Sequence, residues 1–191
     1  MEKRKRSYRL DDRTREILTY AQEKARSRWV LGSQIAYPEH FYLALAILEE
    51  EMLTGILKAL KGVTTYSKAL QSARAYLLAP LRHAHAGNEE ELAAGMSKKL
   101  LETIRVAAQI ASPMSDAEFI VISPELMLLA AETERVGQDV VMRRWGINMS
   151  ELRMHYRRIG IDIPITHGEQ EQLWTESAMD IDQELRRHVA R

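Results

Sequence analysis

The side chains best placed to do chemistry in this chain stand at two helix starts. Glu39 and His40 follow Pro38, and Glu125 follows Pro124. A carboxylate in the first turn of a helix lies at the positive end of its dipole, so both acids read first as helix-stabilising groups. His40 reads either as a packed, hydrogen-bonded histidine at the edge of a core or as a ligand contact. His83-Ala84-His85 could touch a metal, but a metal site needs more ligands and an ordered shell around them, so none is expected. The chain holds no Gly-X-X-X-X-Gly-Lys-Ser/Thr, no His-Glu-X-X-His and no Gly-X-Ser-X-Gly. The expectation is a protein without catalytic residues of its own and without a cofactor. The methionines at positions 52, 127, 142, 149 and 154 fall at helical spacing. They read as core filler, although Met-lined helix faces also suit peptide capture.

The bulk composition narrows the classes. Lys+Arg and Asp+Glu both number 27, which removes the whole-protein electrostatic argument for nucleic-acid or membrane binding. No run approaches the roughly 20 apolar residues of a membrane span. The basic N-terminus lacks the apolar segment of a secretory signal. Cysteine is absent, so disulfides and thiolate metal sites are excluded, and the expected location is the reducing cytoplasm. Nine Gly and five Pro leave little room for a turn-rich β architecture. The chain starts with Met and carries no purification tag, which favours a free-standing domain over the alternative, a piece of a longer protein.

The elements that must position these residues are helices. Residues 1–10 form a basic arm, expected to be poorly ordered. Asp11 or Asp12 caps a first helix whose apolar residues Ile17, Leu18, Ala21 and Ala25 recur at helical spacing. Pro38 opens a second, which is apolar nearly all round and should be buried on most sides. Glu49-Glu50-Glu51 at its end is the wrong charge for that pole, so a break is expected there. A third helix carries Leu53, Ile56, Leu57 and Leu60 and stops at Gly62. A fourth begins at Thr64 or Thr65 and runs to about Leu77.

Beyond a connector over 79–96, Ser97 caps a helix with Leu100, Leu101, Ile104, Ala107, Ala108 and Ala111 on one face. Phe119-Ile120-Val121-Ile122 is β-branched, but a single run without a visible partner reads as an extended loop. Ser123 then caps the second Pro-Glu helix. A helix from about Gly137 to Trp145 stops at Gly146, and a last one carries Met149, Leu152, Tyr156 and Ile159.

The two Pro-Glu starts lie 86 residues apart, and the same shift superimposes Glu16 on Glu102, Ala21 on Ala107, Ala25 on Ala111, Leu43 on Leu129 and Ala44 on Ala130. Identities at one fixed period, gathered at caps and buried faces, indicate an internal repeat. The expected fold is therefore all-α, a pseudo-twofold duplication of a four-helix unit. Repeat 1 covers 11–78, repeat 2 covers 97–160, and a tail covers 161–191. Leu173, Trp174, Ala178, Ile181 and Leu185 could form a weak amphipathic helix in that tail. It either packs on its own domain or docks a second subunit into a dimer, with Trp174 as the anchor.

Two tandem units with these landmarks resemble the N-terminal domain of Clp-type chaperone ATPases. The first unit carries Leu10…Ala21-Gln22-Glu23-Lys24-Ala25…Ile35-Ala36-Tyr37-Pro38-Glu39-His40…Leu43-Ala44-Leu45…Leu60-Lys61-Gly62-Val63. The second matches at Pro124-Glu125-Leu126…Leu128-Leu129-Ala130 and at Trp145-Gly146-Ile147. The resemblance covers about residues 8–160 and implies a mobile docking module that receives client proteins, adaptors or other components of a Clp machine. The ATPase that normally follows is not in this sequence. In some members the motif glutamates help to bind phosphorylated arginine, and the matching positions here are Glu39 and Glu125. This chain has Pro38 and Pro124 where those members place Thr, and Leu126 where the family usually has His, so a hydroxyl and an N–H that could face a phosphate are missing. A second class of function, a nucleic-acid-associated regulator, would use the basic arm over 3–9 and Arg143, Arg144, Arg153, Arg157 and Arg158.

Overall fold

The computed structural model describes residues 7–28, 35–62, 71, 95–111, 119–133 and 135–161. The expected fourth helix, nearly all of the connector with His83 and His85, and the tail with Trp174 lie outside the described residues.

The described residues are mostly helical, with one small pair of parallel strands among them. Strand β1, Ser7–Leu10, buries Tyr8 and Leu10 and exposes Arg9, the period-two pattern of a half-buried strand. It pairs with β2, Phe119–Ile122, in the register Tyr8↔Ile120 and Leu10↔Ile122. Two expectations are corrected here. The end of the N-terminal arm is a strand, and the β-branched run is its partner, not an extended loop. The pairing was hidden because the partner lies more than a hundred residues away and only four residues long.

Helix α1, Asp12–Arg28, begins where the Asp11 carboxylate accepts from the Thr14 N–H at 2.6 Å. That carboxylate satisfies one of the N–H groups a helix start leaves without a partner. Its apolar stripe of Ile17, Leu18, Ala21 and Ala25 is fully buried, as the spacing predicts. Helix α2, Pro38–Leu48, is the centre of the molecule: Phe41, Tyr42, Ala44, Leu45 and Ala46 are all at 0% exposure. The chain breaks at Glu49, and α3, Glu50–Lys61, follows at once, burying Leu53, Ile56 and Leu57. Gly62 ends it at φ +82°, a left-handed conformation that glycine adopts without steric cost.

Helix α4, Lys98–Ala111, is capped by Ser97, whose hydroxyl oxygen accepts from the Leu100 N–H at 3.2 Å. After β2 comes α5, Pro124–Ala130, which tightens into a 3-10 turn at Ala131–Thr133. The stretch expected as an ordinary helix is a short α6, Arg135–Gly137, that widens into a π-helix over Gln138–Arg144. Gly137 shows why this region is special: a Cβ there would lie 2.9 Å from Ala131 Cα and 3.0 Å from the Tyr42 hydroxyl. Trp145, at 1% exposure, closes the segment edge-to-face on Tyr42, with ring centroids 6.2 Å apart. Helix α7, Met149–Arg158, is capped by Asn148 and buries Met149, Leu152 and Tyr156. Ile159, expected on that apolar face, lies past the helix end and is 57% exposed, because the chain turns away at Gly160 with φ +83°.

One continuous core joins these elements. Tyr42 and Leu45 of α2 share it with Met127 and Leu128 of α5 and with Trp145 and Tyr156 near the C-terminal end of the described chain.

Candidate functional site

The two Pro-Glu helix starts are built alike. Tyr37 precedes α2 with φ −103° and ψ 167°, and Ser123 precedes α5 with φ −98° and ψ 164°. Each is followed by Pro at the first helical position, where the missing N–H costs nothing. Each is preceded by a residue in a parallel pair with the other part of the chain. Ile122 pairs with Leu10, and Ala36 bridges Met96. The hydrogen bonds agree. The Asp11 N–H donates to the Ile122 carbonyl at 3.1 Å, and the Ser97 N–H donates to the Ala36 carbonyl at 2.8 Å. Asp11 to Ser97 and Ala36 to Ile122 are both steps of 86 residues.

The side chains on these matched frames differ. At the first start, His40 is 4% exposed, and its Nδ1 accepts from the Tyr37 N–H at 3.0 Å, which caps α2. Burial favours the neutral ring and pushes its pKa down to about 4. Glu39, beside it, is half-buried. At the second start the Ser123 hydroxyl takes the capping role, 3.5 Å from the Leu126 N–H.

Glu125 is not alone. Arg13, in the first turn of α1, donates from Nη1 to Glu125 Oε1 at 3.0 Å. The same guanidinium forks onto Glu49, with Nε to Oε1 at 2.7 Å and Nη2 to Oε2 at 2.5 Å. Nη2 also lies 3.4 Å from the Met52 sulfur. A two-pronged arginine–carboxylate contact is among the stronger ion-pair geometries, and it resolves a local mismatch at Arg13. Arg13 is a cation at the positive end of α1, whereas Glu49 stands both at the end of α2 and at the N-cap of α3, whose positive end suits a carboxylate. The carboxylates raise the Arg13 pKa above its already high value. The charge of Arg13 at the wrong helix end was the signal in the sequence that this residue has a partner elsewhere; which partner was not legible.

Tyr156 lies within electrostatic reach of this cluster. It is 1% exposed, and its hydroxyl has no hydrogen-bond partner among the described residues. It is close enough to Glu125 and Arg13 to feel both charges; burial, chiefly, raises its pKa, Glu125 adds to the rise and Arg13 opposes it.

The arginines proposed for nucleic acid lie largely elsewhere and mostly carry acidic neighbours. Arg143 and Arg144 stand 3.7 and 3.8 Å from Asp139. Arg153 pairs with Glu132, whose carbonyl also accepts from the Gln138 amide. Among the described residues no group of three or more His, Asp or Glu could hold a metal. No helix among them is long and apolar enough to cross a membrane. Comparison of the chain with models of protein families, with curated proteins and with solved structures gave no match.

Proposed function

We propose that the chain is a protein-docking module made of two copies of one helical unit, similar in plan to the N-terminal domain of Clp-type chaperone ATPases. It would bind client proteins, adaptors or other components of a Clp machine and catalyse nothing itself. The observation that carries this reading is the matched pair of helix starts. The same cap positions, the same Pro-Glu step and the same crossed pairing recur at a shift of 86 residues, Asp11–Ile122 answering Ser97–Ala36. Chance similarity between two helices would not carry over to their hydrogen bonds with the opposite part of the chain. Glu39 and Glu125 are the docking candidates, with His40 shaping the first of the two starts from within. A cytoplasmic location belongs to the same proposal and is supported by the absence of cysteine.

Affinity capture from host lysate with the full chain tests the proposal. The expected catch is a Clp ATPase, a protease subunit or an adaptor, with recovery reduced by Glu39→Ala and Glu125→Ala. A catch containing none of these sinks it. The nucleic-acid reading gains little from the acidic partners of Arg143, Arg144 and Arg153. A gel shift at low salt that is lost on adding salt would revive it.

A further inference from the structure

We propose that the outer face of α7 is a docking surface for the chain's own acidic C-terminal segment, residues 169–185. Arg157 and Arg158 would hold that segment by charge, and the exposed Met154 and Ile159 would be covered by it. The inference goes beyond the docking reading above, since neither Glu39 nor Glu125 takes part.

The first observation is the division of charge. The neutrality of the chain is a sum of two unequal parts. Residues 162–185 hold seven acidic residues and no Lys or Arg, so the rest of the chain carries seven positive charges in excess. That excess stands directly before the acidic segment, because Arg157 and Arg158, both exposed, close α7. A cationic face and an acidic segment joined by a short stretch of chain attract each other, and salt screens that attraction.

The second observation is apolar. Met154 is 48% exposed and Ile159 57%, two of the four large hydrophobic side chains left exposed among the described residues. Met154 lies one turn before Arg157 and Arg158, on the same side of the helix, and Ile159 follows at its end. The acidic segment has the matching half: Leu173, Trp174, Ala178, Ile181 and Leu185 recur at helical spacing among its acids. Trp174 suits a methionine flanked by arginines, because an indole attracts both a thioether and a guanidinium.

The third observation is the way the chain leaves α7. The Gly160 N–H donates to the Arg157 carbonyl at 3.1 Å and the Ile161 N–H to the Tyr156 carbonyl at 2.9 Å, with Gly160 at φ +83°. This paired closure ends the helix and turns the chain off its axis. Ile161 then packs against the core, so the chain is led back over the body of the protein. Residues 162–172 span about 36 Å when fully extended, against about 15 Å for the ten residues of α7. Pro164 and Gly168 in that stretch suit a reversal. A segment tethered this closely acts at an effective concentration on the order of millimolar, which favours the same chain over a second copy as the occupant.

The chain has no cysteine, so one introduced in the segment takes a nitroxide label at a single place. In the full chain, Thr175→Cys carrying the label should broaden the amide signals of residues 153–159, and reducing the nitroxide should restore them. Charge reversal in Arg157→Glu/Arg158→Glu should abolish the broadening, whereas Arg157→Lys/Arg158→Lys should retain it. Glu169→Gln/Glu171→Gln/Glu176→Gln, which leaves α7 untouched, should weaken it. That last variant decides the matter if the charge-reversed protein fails to fold, judged by the near-ultraviolet signal of buried Trp145. Absence of broadening overturns the proposal, as does broadening that no charge change affects. A mixture of isotope-labelled protein without nitroxide and nitroxide-labelled protein without isotope separates the occupants: broadening of α7 signals there would mean that a second copy supplies the segment, which also overturns it.

Discussion

The two Pro-Glu helix starts share a backbone and differ in almost every side chain that serves it. Around Ser123 the start is held by a hydroxyl cap, by a buried hydrogen bond from the Thr14 hydroxyl to the Ile122 carbonyl at 2.9 Å, and by the Arg13 cluster. Around Tyr37 an imidazole from within the helix does the capping. The residue matching Thr14 is Leu100, which has no hydroxyl to give, and the residue matching Arg13 is Lys99. The backbone sets the requirement, because every helix start leaves N–H groups to be satisfied, and several side chains meet it equally well. The function-bearing chemistry is therefore free to diverge while the frame stays the same.

That contrast can be broken first at His40. Its folded pKa near 4 lies below the ordinary imidazole value of 6.5, so the unfolded chain takes up a proton more readily than the folded one. Its contribution is fully present above the unfolded value and is lost as pH falls from there towards 4. Urea unfolding should show a loss of about 2 kcal/mol between pH 7 and pH 5 from this group. In His40→Phe that part of the pH dependence should vanish while stability at pH 7 also drops, since the cap is gone. Unfolding midpoints that fall equally with pH in both proteins would show that the Tyr37 start does not depend on a neutral ring.

A smaller effect separates the caps. Asp11→Ala removes a 2.6 Å bond from a charged acceptor at the start of α1 and should cost about 1 to 2 kcal/mol. Ser123→Ala removes a 3.5 Å contact and should cost about 0.5 kcal/mol. Thermal melts of the two variants would put them in that order; the reverse order would mean that the hydroxyl of Ser123 matters more to its helix than its distance suggests.

A change in stability as small as that of Ser123→Ala belongs to Arg13. Its side chain is 44% exposed and screened by water, so Arg13→Ala should cost only about 0.5 kcal/mol, shrinking further in molar salt. A large, salt-independent loss would make the cluster a structural clamp between two parts of the chain.

Much of the frame was legible because its causes are local. A cap acts on an N–H three residues away, so Asp11, Ser97 and Ser123 announced α1, α4 and α5 from a few neighbouring letters. Gly62 and Gly146 marked stops because both adopt positive φ, which the residue type itself permits. The apolar stripe of α1 and the all-round apolarity of α2 likewise predicted burial from spacing alone.

What stayed hidden depends on partners far along the chain. Ser7–Leu10 is too short for its alternation to reveal a strand, and only the tertiary fold brings Phe119–Ile122 beside it. The π-helix over Gln138–Arg144 has no sequence sign comparable to a cap; it accompanies the close approach of Gly137 to Ala131 and Tyr42, which three separate segments create together. The candidate site divides in the same way. Glu125 was visible from its place in a helix start, whereas its partner Arg13 is 112 residues distant and Glu49 lies 36 from that arginine. Local capping and periodicity act within one helix and are written in consecutive residues. Ion pairing acts through space, so only the packing of α1 against the starts of two other helices decided that Glu125 would be covered by an arginine.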